Sequence, residues 1–110
     1  MQALDVIGDP VRRRLVELLR HGEQAAGALG RQVRDEFGIS QPAVSQHLRV
    51  LRENGFARVR AEGNRRLYVL QTEPLQEVDT WLQPYRALWA QRLDALDTEI
   101  RRGRRDRSTT

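Results

Sequence analysis

The most constraining stretch is residues 37–51, FGISQPAVSQHLRVL, in which Gly38 and Ser40 stand two apart between two apolar-periodic runs. Glycine ends a helix because it enters the left-handed region at little cost, and serine opens the next by accepting a free backbone N–H. A helix that stops and restarts across so short a turn is the helix-turn-helix layout. The second run then predicts a helix over about 41–54. At 100° per residue from Gln41, its Val44, His47, Leu48 and Leu51 fall between about 240° and 340°. Gln41, Ser45, Gln46, Arg49 and Arg52 fall on the opposite half. One half can bury itself; the other is made of hydrogen-bonding groups.

The flanking segments complete the pattern. Asp9-Pro10 signals a helix start, because Asp caps the free N–H groups and Pro needs none of its own. Leu15, Leu18 and Leu19 then recur at helical spacing over about 10–21, with 2–7 as a short helical lead-in. Leu29, Val33 and Phe37 mark a second helix of roughly 25–36, weakened by Gly27 and Gly30. After Asn54-Gly55 the periodicity switches to two in ARVRAEGNRRLYVLQ, a hairpin turning at Glu62-Gly63-Asn64. Thr72 caps a last helix whose apolar stripe is Leu75, Val78, Leu82, Tyr85, Trp89, Leu93, Leu96 and Ile100, widened by Trp81 and Leu88 and interrupted at Pro84. Residues 103–110, GRRDRSTT, contain no apolar side chain and read as an Arg-rich disordered tail. The expected organisation is one domain over 1–102 followed by that tail.

Charge narrows the partner. All 19 basic residues are arginine, and the net charge is +4. Residues 40–72 carry six Arg against two acids, whereas 73–100 carry two against six. The excess therefore sits on the polar helix and the hairpin, where Arg58, Arg60, Arg65 and Arg66 flank Asn64. A polyanion suits that arrangement better than plain solvent does. The chain has no cysteine, which excludes disulfides and thiolate metal sites. No Ser–His–acid spacing or Gly-rich phosphate loop suggests an enzyme. The first residues lack a signal layout and no apolar run approaches the ~20 residues of a membrane span, so the expected location is the cytoplasm.

DPVRRRLVELL, followed by ISQPAVSQHLRVLRENGFARVRAEGNRRLYVL, resembles the ArsR/SmtB family of winged helix-turn-helix regulators, over about residues 4–100. The resemblance implies a mainly α fold with a small β-hairpin, dimerising through the first and last helices. It implies a sequence-specific DNA-binding transcription regulator, most often a homodimeric repressor on a near-palindromic operator. The ending WLQPYRALWAQRLDALDTEI is similar to the subgroup without a known metal site. No Cys is present and the last helix has no His, so the usual metal ligands are missing and no cofactor is expected.

On this reading the partners are double-stranded DNA and a second copy of the chain. The recognition-helix contacts are Ser40, Gln41, Ser45, Gln46 and Arg49, and the wing contacts are Arg58, Arg60, Asn64, Arg65 and Arg66. The apolar stripe of the last helix, Leu75 through Ile100, is the expected dimer interface. His47 is expected on the packing side, bonded to backbone, and Arg12, Arg13 and Arg14 on a solvated face with a partner such as Glu17. Trp81, Tyr85, Leu88 and Trp89 could line a pocket for a small-molecule effector, though such a stripe is more often plain core. The alternative function is a winged-helix assembly module whose Arg-rich face meets an acidic protein. It is disfavoured because protein interfaces usually carry more aromatics at their centre.

Overall fold

The computed structural model describes residues 2–108. The element order is α1 (Ala3–Gly8), α2 (Pro10–Leu19), β1 (Gln24–Ala25), α3 (Ala26–Phe37), α4 (Gln41–Glu53), β2 (Ala57–Glu62), β3 (Arg65–Leu70) and α5 (Glu73–Ser108). The chain divides into two compact units, one ending at Val78 and one beginning at Asp79. The sequence alone predicts one domain over 1–102. Among the described residues no helix is long and apolar enough to cross a membrane.

In the first unit the caps act as the sequence predicts. Asp9 Oδ1 accepts from the N–H groups of Val11 at 2.8 Å and Arg12 at 3.1 Å, with Pro10 in the first turn. Ser40 Oγ accepts from the Ala43 N–H at 3.3 Å. Gly38 ends α3 at φ +64°, donating its N–H to the Arg34 carbonyl at 2.8 Å. These caps leave two residues, Ile39 and Ser40, between that glycine and α4. The buried faces of α2, α3 and α4 supply Leu15, Leu19, Leu29, Val33, Val44 and Leu51, with Phe56 folding in after α4. Phe37, expected on the same stripe as Leu29 and Val33, is 38% exposed because it is the last helical residue and lies past the core's edge.

The sheet has three strands in the order β1-β3-β2, all antiparallel. Glu62 pairs with Arg65, so the turn is the two residues Gly63 and Asn64, and Gly63 alone takes positive φ (+59°). A positive φ at the first turn position only is the type II′ pattern that suits a right-twisted hairpin. The register places Ala57, Val59, Tyr68 and Leu70 on one face, packed against the helices, with Arg66 continuing that face toward the tip. Arg58, Arg60, Arg65, Leu67 and Val69 occupy the other. Leu67 is buried there without joining the main core, between Ala25 of β1 and Arg60 of β2. β1, which the sequence reading missed, pairs Gln24 with Tyr68 and Ala25 with Leu67.

Leu75 and Val78, expected at a dimer interface, are half-buried against the core of their own unit. They lie within two turns of the start of α5, where the helix still covers that core.

In the second unit α5 continues through Pro84. Proline cannot donate its backbone hydrogen bond, and its ring crowds the carbonyl one turn back. Arg86 reaches into this region, donating to the Asp79 carbonyl at 2.5 Å and pairing with its carboxylate at 2.6 Å. Residues 103–108, expected in a disordered tail, are helical; Thr109 and Thr110 lie outside the described residues. Arginine is a good helix former, and Arg101 pairs with Asp97 one turn back at 3.0 Å.

Candidate nucleic-acid interface

The polar half of α4 presents two stripes. Gln41, Ser45 and Arg52 form the first; with the buried Leu48 at its edge they line a hollow of about 210 Å³, closed by Ala26 and Gly27 of α3 and by Arg66 and Tyr68 of β3. Gln46, Arg49 and Glu53 form the second stripe. Gln41, Ser45, Gln46 and Arg49 are all exposed, while Ser40 spends its hydroxyl on the cap. Gln41 Nε2 donates to Ser45 Oγ at 3.3 Å, and Arg49 Nε to Glu53 Oε1 at 2.8 Å. Arg49 is thus already paired, though at 61% exposure the pair is screened by solvent and opens readily.

Gly30 of α3 faces α4: a Cβ there would stand 3.4 Å from Gln41 Oε1 and 3.6 Å from Val44 Cγ1, ordinary contact distances, so the position would accept a methyl group beside Gln41 and Val44.

The wing arginines are not equivalent. Arg66 lies on the sheet face that continues toward α4. Arg60, on the other face, is held by Glu23 at 2.6 and 3.3 Å and by Glu62 at 3.3 Å. The hydrogen bond from Arg60 is the main reason the Glu23 carboxyl lies below its ordinary pKa; desolvation opposes it, and the charges of Arg60 and Arg58 add to it. Glu23 is 37 residues from Arg60 in the chain, so nothing local to the hairpin sequence announces this partner. Arg58, Asn64 and Arg65 are exposed. Two further arginines line hollows beside this surface: Arg52, whose place on the polar half is legible in the sequence, and Arg31 of α3, which no sequence signal marks.

His47 does lie on the packing side, but its neighbours are side chains rather than backbone. Nδ1 is 3.4 Å from Arg12 Nη1 and 3.9 Å from Asp9 Oδ1. Arg12 itself clamps α1 to α2, donating to the carbonyls of Val6 at 2.8 Å and Asp5 at 3.1 Å. Burial alone would raise the Asp9 carboxyl; the N–H groups of Arg12 and Val11, with the charges of His47 and Arg12, outweigh it and hold it below its ordinary value. Arg14 meets Glu17 at 3.3 Å, as anticipated, and also Glu36 at 3.0 Å.

On the second unit Tyr85, Trp89, Leu93, Leu96 and Ile100 of the expected interface are exposed, joined by Trp81 and Leu88, while Leu82 is half-buried. Trp81 and Tyr85 have ring centroids 5.0 Å apart. Among the described residues no group of three or more His, Cys, Asp or Glu side chains is placed to hold a metal ion.

Comparison with known proteins agrees with this geometry. Residues 7–60 match the family model described as a helix-turn-helix domain. The chain is 39% identical over 98 residues to the HTH-type transcriptional regulator Rv2034 of Mycobacterium tuberculosis, covering 86% of this chain and 88% of that one. It is 33% identical over 76 residues to the transcriptional repressor SdpR of Bacillus subtilis, covering 69% and 80%. Among solved structures, that of a possible transcriptional regulator for arsenical resistance superposes with a TM-score of 0.65 at 38% identity, covering 77% of this chain and 84% of that one. With the two-residue turn, the exposed polar face of α4 and the three-stranded wing, the chain belongs to the ArsR/SmtB family of winged helix-turn-helix transcriptional regulators.

Proposed function

We propose that the protein is a cytoplasmic homodimeric repressor that binds a near-palindromic operator, acting by occupancy rather than catalysis. In this reading α4 enters the major groove and the wing follows the phosphates. The observation that carries it is the exposed hydrogen-bonding side of α4, with Gln41, Ser45, Gln46 and Arg49 all open to a partner. A major groove admits one helix, and these are side chains that reach base edges there.

The dimer rests on the apolar stripe of α5. Large side chains such as Trp89 and Leu93, 50% and 66% exposed, recur for five turns along this helix. So long an apolar surface calls for a partner, and a second copy of α5 offers the matching stripe. Two-fold symmetry would set the recognition helices about one DNA turn, ~34 Å, apart. An effector, if one acts, would be sought at the exposed Trp81–Tyr85 pair.

Selection of duplexes from fragmented genomic DNA by the purified protein tests the proposal. Recovery of a common near-palindromic site is the expected outcome; recovery of no sequence above background refutes it.

A further inference from the structure

Two hollows meet at Arg66. The first is the space of about 210 Å³ between α4 and β3, with Ser45 and Arg52 on its wall. The second, about 510 Å³, lies between the first turn of α3 and the wing tip, where Arg31, Asn64 and Arg65 join Arg66. Arg66 lines both.

Arg12, Arg14, Arg49 and Arg60 each have a carboxylate within 4.0 Å. Among the described residues Arg31, Arg52, Arg65 and Arg66 have none, and unlike Arg13, Arg20, Arg34 and Arg58, which also have none, they line the two hollows together. Four uncompensated guanidinium groups around two adjoining concavities focus a positive field that an anion would relieve. The second hollow has another donor set. Its wall includes Ala26, Gly27 and Ala28, the first turn of α3, and the N-cap residue Ala25 has no side-chain oxygen to accept their free N–H groups.

We propose that the two hollows are adjacent seats for backbone phosphates of duplex DNA. Arg52 and Arg66 hold one phosphate; Arg31, Arg65 and the first turn of α3 hold the next. This rests on the DNA-binding reading above and sharpens it. Arg66 becomes the wing residue that fixes the register of the wing with α4, because it shares a wall with Gln41 and Ser45. Arg58 and Arg60 lie on the opposite face of the sheet, where Arg60 is bound to Glu23. Inorganic phosphate could fill one seat, but two adjoining seats beside a groove-reading helix suit successive phosphates of a strand.

The test uses the full chain and two duplexes, one enriched by the wild-type protein from a random-sequence pool and one unselected. Affinity is measured by fluorescence anisotropy over a range of salt. Each phosphate contact contributes about 0.9 to the magnitude of the log–log slope. Because the dimer carries each seat twice, the double variant Arg52→Ala/Arg66→Ala should lower that magnitude by about 1.8, and Arg31→Ala/Arg65→Ala by about 1.8 again. Combining the pairs should add the losses, and both duplexes should weaken by the same factor. Arg13→Ala/Arg20→Ala removes the same charge from α2 and its C-cap and serves as the control. The proposal is overturned if either pair lowers the slope no more than the control does, while the wild-type protein still enriches a duplex with a steep salt dependence. If the wild-type protein enriches none and its affinity does not depend on salt, the DNA-binding reading falls and takes this one with it. Circular dichroism melts matching the wild type exclude misfolding as the source of a loss.

Discussion

The guanidinium of Arg60 lies 2.6 Å from the carboxylate of Glu23, which ties the outer strand of the wing to the segment just ahead of β1. The pair is exposed, yet it takes an arginine out of the free basic surface. Glu23→Gln keeps the side-chain shape and removes the charge. Arg60 would then be available to a phosphate in each protomer, and non-specific duplex affinity should rise, with the salt slope of the dimer steeper by up to about 1.8. An anisotropy titration against salt decides it, and an unchanged slope would mean that Arg60 does not reach DNA even when released.

Asp9 gives the fold an acid-sensitive component. Its folded carboxyl lies below the ordinary value, so its contribution is present above the unfolded pKa and is lost as pH falls through the folded one. Asp9→Ala should cost about 1 kcal/mol at pH 7, the usual worth of an N-cap. The gap between variant and wild type should narrow below about pH 4, where the unfolded carboxyl begins to protonate. Urea denaturation at pH 7 and pH 3 measures both; a gap independent of pH would show that the carboxylate charge contributes nothing.

Gly38 holds φ +64° between the two helices of the motif. A Cβ meets open space there, so the cost of Gly38→Ala comes from the backbone conformation alone, about 1–2 kcal/mol. Thermal melting should show a lower midpoint, whereas Gly27→Ala, in open space within α3, should raise it through an additive of about 0.4–1 kcal/mol. Equal midpoints for the two variants would contradict this account of the turn.

The stripe on α5 makes a prediction about assembly. Trp89→Asp with Leu93→Asp places two charges among apolar neighbours and should yield monomers in sedimentation equilibrium. Operator affinity should fall with it, because two half-sites no longer bind as one unit. A dimer that persists in the double variant would move the interface off this helix.

Much of this was legible in the chain because it depends on neighbours in sequence. Asp9-Pro10, Gly38 and Ser40 act within a few residues, and the two-residue periodicity of ARVRAE and RRLYVL announces the hairpin. What was not legible depends on distant pairings. Gln24 and Ala25 have weak strand propensity and become β1 only because the edge of β3 offers hydrogen bonds. The difference between Arg60 and Arg66 rests on which face each occupies and on an acid far away in the chain. Along α5 the apolar spacing is nearly uniform, so it could not show that Leu75 and Val78 serve their own core while Trp89 and Leu93 remain uncovered.

The shortest element has the widest consequence. β1 pairs with β3 and is followed without a gap by α3, so the wing is anchored on both sides of its central strand and tethered to the start of the helix-turn-helix motif. A hairpin of this size would sample many orientations if hung from α4 alone. Held as it is, the wing would meet DNA in the proposed complex already aligned, with little entropy left to surrender on docking. The distance between wing and recognition helix is thereby set before any duplex arrives, like the jaw of a fixed gauge.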